Sequence, residues 1–439
     1  MKRFFPHFFY LCILWSGHSL FAQDSIEEDQ ELSYYEKLFQ KIEFGVEAEL
    51  RGELLENFDF QDSTQSYLLH RLRLNTQLEL RPGFHLFAEI QDAQVHGENP
   101  TGFPLVDGSL DSNAFENLLD LRQLYLEISS GKWTTRLGRQ DVDIGYDRLF
   151  ATNNWRNTSK TFDGGLLLFE LDQDRTFQAF HFAVTPVDPN GFDDFADSGH
   201  RYYDSTYSGF IGDDSRLIDQ ASLKYFWILR NNPDFNDEVH TFGGSYIQRF
   251  DGFEAALEGA VQAGEFSGLD HRAWMLHTWI GKDIAEIGRV QLAYNYASGD
   301  DDPSDNQHGT FDHLNPRNHK FYGNMDLNSL RNHHSVDLAV RRKVFRSTDL
   351  TLGFFSFWLD EPETDSWYNG GRSPNRPIPA DGVDSFLGNE IDVQLRYRFT
   401  KLFWLDAGVS RFFAGDFVKQ TGVSDADPVF LFAEASYVF

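Results

Sequence analysis

Arginines and carboxylates fall on alternate positions in this chain, and that spacing decides what chemistry they can do. In Ile391-Asp-Val-Gln-Leu-Arg-Tyr-Arg-Phe399, Asp392, Gln394, Arg396 and Arg398 share one parity, while Ile391, Val393, Leu395, Tyr397 and Phe399 share the other. Arg71, Arg73, Asn75, Gln77 and Glu79 alternate in the same way with Leu72, Leu74, Leu78 and Leu80. Glu43, Glu47, Glu49, Arg51 and Glu53 alternate with Phe44, Val46, Ala48, Leu50 and Leu54. Arg136 sits at a matching position in the segment 132–140. A guanidinium held on a rigid face grips a carboxylate with two parallel N–H donors and replaces its hydration. Two uses follow for Arg396, Arg398, Arg71, Arg73 and Arg136. They could lead an anion along a polar face, or they could pair with acids on that face and fill a wall. Glu47, Glu49, Glu53, Glu79, Glu89, Glu127, Glu254, Glu258 and Asp392 are partners enough for the second use.

Other chemistries find less support. No phosphate-binding loop, nucleophile elbow or zinc helix occurs, and the sequence calls for no cofactor. His333-His334 and the scattered histidines lack metal-ligand spacing. Asp300, Asp301, Asp302 and Asp305 offer hard oxygens to Ca²⁺, yet they lack the glycine and terminal glutamate of an EF-hand. A solvated acidic loop accounts for them as well. A net charge of -30 disfavours nucleic acid, whose phosphates need basic stripes.

The alternation itself points to strands, whose side chains repeat with period two. The chain ends on Val429-Phe-Leu-Phe-Ala-Glu-Ala-Ser-Tyr-Val-Phe439, where Val429, Leu431, Ala433, Ala435 and Tyr437 form an apolar face. A terminal Phe with an aromatic two residues before it resembles the closing strand of a bacterial outer-membrane barrel. Mean hydropathy is -0.45, and no run of 18 apolar residues occurs after residue 25, which excludes a helical membrane protein. A barrel survives that test, because only alternate residues face lipid. Aromatic residues make up 16% of the chain, which suits lipid-facing positions and interfacial girdles.

The first residues read as an export signal over 1–22: Lys2 and Arg3, an apolar stretch from Phe4 to Trp15, then Leu20-Phe21-Ala22. Residues 23–42 read as a loose acidic periplasmic lead-in. The one cysteine, Cys12, lies inside the signal, so the exported chain has no thiol. Residues 43–439 read as one all-β domain, an antiparallel up-and-down barrel with short periplasmic turns and long extracellular loops. Seventeen strand candidates are legible, at 44–54, 72–80, 84–92, 119–129, 132–140, 162–171, 175–184, 217–229, 239–248, 252–262, 271–281, 288–297, 332–341, 349–358, 391–399, 401–413 and 429–439. An even number is required if both ends lie in the periplasm. Short links such as 81–83 and long ones such as 141–161 alternate everywhere except between 185 and 216. An eighteenth strand is therefore expected within 201–213, on Tyr203, Tyr207, Phe210 and Ile211.

Three blocks of residues carry a family resemblance. The first is Leu137-Gly-Arg-Gln-Asp141, Tyr146-Asp147-Arg148-Leu149, Asn154-Trp155-Arg156-Asn157 and Lys160-Thr161-Phe162-Asp163-Gly164. The second is Tyr294-Asn-Tyr-Ala-Ser-Gly-Asp300 followed by Asn318-His-Lys-Phe-Tyr-Gly323. The third is Gly388-Asn-Glu-Ile-Asp392, Leu395-Arg-Tyr-Arg-Phe399 and Phe412-Phe-Ala-Gly-Asp-Phe417. In this order they resemble the alginate export family of outer-membrane barrels. The resemblance implies eighteen strands and an electropositive constriction that passes a polyuronate. Arg396 and Arg398 match it by pattern as well as alternation. Arg122 and Arg139 match by motif, although Arg122 shares parity with Leu124 and Leu126, which a bulge or a rim position would reconcile. Trp155, Arg156, Asn157, Lys160 and Lys320 lie in loops that could fold inward and constrict the pore, or pin loop to wall.

The expected function is a channel in the bacterial outer membrane, passing an anionic polysaccharide or small solutes by diffusion. The acidic faces suit a mixed-charge pore for neutral sugars as well. The alternatives are a barrel hydrolase and a plugged structural or adhesive barrel. Expected partners are outer-membrane lipids and lipopolysaccharide, the assembly machinery through Phe439, and periplasmic polysaccharide export proteins.

Overall fold

The computed structural model describes residues 41–439, apart from 59, 61, 98–114, 143–146, 186, 188–204, 216–220, 372–373, 377–381 and 423–425. The expected signal and nearly all of the lead-in lie outside the described residues, as does Tyr203. The wall strands are β1 (Ile42–Glu56), β2 (Thr64–Arg81), β3 (Phe84–Gly97), β4 (Asn117–Ser130), β5 (Trp133–Gln140) and β6 (Phe162–Glu170). Then come β7 (Arg175–Val184), β8 (Thr206–Asp214), β9 (Ala221–Asn232), β10 (Asp237–Phe250), β11 (Phe253–Phe266) and β12 (Leu269–Ile284). The set ends with β13 (Gly288–Ala297), β14 (His333–Phe345), β15 (Thr348–Trp358), β16 (Phe386–Arg398), β17 (Phe403–Ala414) and β18 (Val429–Val438). Each pairs antiparallel with the next, and β18 returns to β1 from Glu47↔Val438 to Glu56↔Val429. The result is a closed barrel of eighteen strands. The short segment Gln307–His308 adds a parallel ladder to β12 but is a loop element rather than wall.

The links obey the expected rule. Turns such as 82–83, 131–132, 251–252 and 346–347 close one end, and loops 141–161, 298–332 and 359–385 leave the other. Gly83 shows why a glycine stands in such a turn. Its φ is 78°, and a Cβ there would lie 2.4 Å from the Ser129 carbonyl oxygen.

The eighteenth strand is β8, between β7 and β9. Its Tyr207 and Ile211 face inward and buried, and Phe210 faces outward. The alternation fades there because glycines replace side chains opposite bulky rings. A Cβ at Gly209 would sit 2.8 Å from the Phe180 ring, and one at Gly212 would sit 2.2 Å from the Tyr225 ring.

The two faces of the wall differ as their parity requires. On β16, Ile391, Leu395 and Tyr397 are 42–45% exposed on the outside, whereas Glu390 is 0% and Asp392 5% exposed inside. Outward aromatics mark both rims. Trp133–Phe169 and Tyr397–Phe399–Phe403 lie toward the short turns; Trp274–Tyr296 and Trp358–Phe386 lie toward the long loops. Inside, the long loops bring apolar clusters around Phe357, Trp367 and Phe412 and around Phe150, Phe162 and Leu330.

The outward Leu292 and the inward Gln291 on β13 test this assignment. Leu292→Arg is expected to destabilise the barrel in lipid by about 2–4 kcal/mol, and Gln291→Arg by less than about 1 kcal/mol. Urea titration of folding into bilayers reads the difference; equal costs would contradict the two-faced wall.

Candidate functional site

Charged side chains on the inner faces of β1 to β4 build a continuous network. Arg51 donates to Glu53 at 2.6 Å and to the Trp155 carbonyl at 2.9 Å. Arg71 donates to Glu47 at 2.8 Å, to Glu49 at 2.5 Å, and to the carbonyls of Asn154 and Arg156. Arg73 reaches Gln91, Glu47 and the Ser159 hydroxyl, the last at 2.6 Å. Arg122 bridges Glu89 and Asp141 at 2.5 and 2.6 Å. Its parity is explained by a bulge, since Glu89 pairs with Gln123 and Ile90 with Leu121, leaving Arg122 over. Arg139 takes Asp163 with two donors at 3.0 and 3.2 Å and also caps the Leu121 carbonyl. Asp141 lies just past β5, where burial pushes its carboxyl up against the pull of Arg122.

Arg71, Arg73, Arg122 and Arg139 are therefore buried and each is paired with a carboxylate. All four bind wall or rim acids, and Arg71 and Arg73 also hold the segment 154–159 against the inner wall. Asn157 completes the seam by donating to the carbonyls of His70, Gln94 and Phe115. Arg156 is buried in the same turn, and its carbonyl accepts from Arg71.

A second loop, 298–332, meets the first inside the barrel. Phe150 and Asn315 form a β-bridge, and Lys160 donates to the Asn315 side chain at 2.9 Å. Lys320 and Arg317 both reach Asp147. The Trp155 ring lies between the Arg51 guanidinium, 3.9 Å from its centroid, and the His319 ring at 3.7 Å. Arg148 donates to the Tyr322 hydroxyl at 2.8 Å and to Glu258 at 3.3 Å. Burial pushes the Tyr322 phenol up to about 12.

The apex of this loop rests on β16. Met325 N–H donates to Glu390 at 2.9 Å and Asn324 N–H to Asp392 at 3.1 Å. Gly323 has φ 85°, and a Cβ there would lie 2.5 Å from the Glu390 carboxyl. Thus two of the sequence blocks, 318–323 and 388–392, meet as one clamp.

Other cations remain in open lumen. The Arg396 side chain is 43% exposed beside Asp406, and that of Arg398 is 46% exposed beside Asp349. The Lys320 side chain is 49% exposed, and that of Arg136, paired with Glu127, is 37% exposed. The sequence reading missed Arg341 and Lys343, which continue the inner face of β14 past Ser335 and Asp337. Neither has an ion pair among the described residues. With Gln394, Arg396 and Arg398 they line a cleft of about 400 Å³ near the periplasmic turns. Arg51 was also missed, although its place among Glu47, Glu49 and Glu53 was legible. Most lumenal acids named from sequence are tied: Glu47, Glu49, Glu53, Glu89, Glu127, Glu254 and Glu258 to guanidinium groups, and Asp392 to the loop backbone.

The aspartates proposed for Ca²⁺ do not converge. Asp302 accepts from Ser304, Asp305 from Gln307, and Asp300 is buried near Asp365. Among the described residues no three His, Cys, Asp or Glu are placed to hold a metal ion.

Residues 40–432 match the family described as Alginate export. A search of curated proteins finds no match. Among solved structures, OpdK of Pseudomonas aeruginosa, determined with vanillate, has 12% identity and a TM-score of 0.62, over 90% of this chain and 98% of that one. OccAB4 of Acinetobacter baumannii has 13% identity and a TM-score of 0.63, with the same shares covered. OccK2 (OpdF) of Pseudomonas aeruginosa, in complex with glucuronate, has 11% identity and a TM-score of 0.57, over 91% and 98%. At such identities the likeness is one of fold.

The clamp makes a direct prediction. Gly323→Ala strains a left-handed residue by about 1 kcal/mol or more and drives a methyl into the Glu390 carboxyl. Loop 298–332 is expected to lift, with a noisier open-channel current and new protease cleavage inside the loop. A variant as quiet and as resistant as wild type would show that the clamp does not hold the loop.

Proposed function

The chain belongs to the alginate export family and is an outer-membrane channel, and from that premise we propose that it passes carboxylate-bearing saccharides by passive diffusion. The family and its structural neighbours are channels rather than enzymes. The observation that supports an anionic cargo is the division of the lumenal cations. Those near the inward loops are consumed by wall acids and loop carbonyls. Those left in open lumen are Lys320 at the loops, Arg136 on β5, and Arg341, Lys343, Arg396 and Arg398 near the periplasmic turns.

The exposed pairs suit transit. A solvent-exposed ion pair contributes about 0–1 kcal/mol. A passing uronate can therefore displace Asp349 from Arg398 at little cost and be released as easily. Conduction needs sites strong enough to enter and weak enough to leave. The tied acids also favour an anion path, because most of the lumenal carboxylates named from the sequence face a cation or an N–H rather than the solute. Two similar channels, OpdK and OccK2, were determined with vanillate and glucuronate, both carboxylates.

Charge reversal checks this reading. The double variant Arg396→Glu, Arg398→Glu is expected to lower anion-over-cation permeability by about threefold or more at 0.1 M salt. Reversal potentials in planar bilayers measure it, and unchanged selectivity would remove both residues from the path.

A further inference from the structure

The inner wall carries half-buried aromatic rings in positions that contact with lipid does not explain. Trp133, Trp227, Trp274 and Trp358 face outward on the wall, and Trp155 and Trp367 are packed among loops. Trp279 and Trp404 instead share parity with lumenal residues. Trp279 on β12 alternates with His277, which pairs with the buried Glu258. Trp404 on β17 alternates with Asp406 and stands opposite Arg398 and Ser436. Tyr125 on β4 faces the lumen in register with Phe87, their rings stacked at 5.0 Å. All are half-buried. The two indole N–H groups and the Tyr125 hydroxyl make no hydrogen bond among the described residues.

Such rings gain little where they are. Part of each apolar face meets lumenal water, and each polar handle is open to a hydrogen bond from water or a solute. Every ring also has a guanidinium beside it. Arg136 lies 5.2 Å from the Tyr125 centroid, Arg289 lies 5.8 Å from that of Trp279, and Arg398 is the cross-strand neighbour of Trp404. A uronate has matching parts: an apolar C–H ring face, hydroxyls around its edge, and one carboxylate.

We propose that Trp279, Trp404 and Tyr125 are saccharide-stacking subsites, each binding the C–H face of a pyranose while Arg289, Arg398 or Arg136 takes its carboxylate. The proposal rests on the reading of a carboxylated saccharide as cargo and adds to it. Charge alone is screened over about 8–10 Å at physiological salt and does not separate a sugar acid from any other anion. A ring face does, and it recognises neutral sugars too.

Single-channel block by oligomannuronate, maltoheptaose and citrate tests this on the full-length protein in planar bilayers. Trp279→Ala is expected to weaken block by both saccharides about five- to tenfold, as the loss of one aromatic contact implies. Citrate block and ion selectivity should stay unchanged, and Trp279→Phe should keep most of the saccharide block. Heat-modified gel mobility confirms that each variant folds. If alanine leaves saccharide block intact, or weakens citrate equally, the stacking subsite is overturned while the anionic cargo stands. If maltoheptaose blocks wild type and oligomannuronate does not, the anionic cargo falls and stacking is judged on maltoheptaose alone. Block by neither saccharide overturns both.

Discussion

Backbone polar groups set the terms for this protein. In lipid no water is present to receive them, and an unpaired N–H or C=O costs several kcal/mol. A sheet escapes that cost only by leaving no edge. The ladder from β1 to β18 does this, and the last residue completes it: Phe439 N–H donates to Val46 and Val46 N–H to Phe439. Once the sheet is closed, period two divides every strand into a lipid side and a lumen side. The arginines and aromatics then have a place to act because half of each strand is kept from lipid.

Closure also creates a difficulty. Charges on the inner face are partly removed from water, and breaking a buried pair on one side costs about 3–5 kcal/mol. The chain meets this in two ways. Near β1 to β4 it lets Arg51, Arg71, Arg73 and Arg122 satisfy Glu47, Glu49, Glu53 and Glu89, and uses the spare donors to hold loop 141–161. Near the periplasmic turns it leaves Arg341, Lys343, Arg396 and Arg398 in a wet cleft. The same residue type is structural in one place and available to solute in the other, and burial separates the two.

That separation was not legible in the sequence. Alternation placed Arg71 and Arg396 on equal terms, since both stand opposite apolar faces. What distinguishes them is a loop that arrives from some 80 residues away, as Asn154 and Arg156 do for Arg71. Alternation was enough for the architecture: strand faces, link lengths and the parity of the ends located β8 even where Gly209 and Gly212 erased its pattern. The odd parity of Arg122 left a bulge or a rim position open, and the register shift at Glu89 and Ile90 shows the bulge. Lys343 was missed because the predicted strand stopped at 341, whereas β14 runs on to Phe345; Arg341 was the last residue of that predicted strand, and its face was not read. The meeting of 318–323 with 388–392 had no local signal, because it depends on tertiary contact alone.

Cys12 is the one cysteine of the sequence, so with Cys12 replaced by serine single cysteines can be introduced one at a time from 391 to 398 and probed in membranes. With a closed two-faced wall, a charged methanethiosulfonate added to the aqueous phase should label Cys at 394, 396 and 398. Positions 391, 393, 395 and 397 should resist it and accept a lipid-soluble maleimide instead. Labelling that is uniform along the segment, or that follows the opposite parity, would contradict the barrel and every role assigned to its lumen.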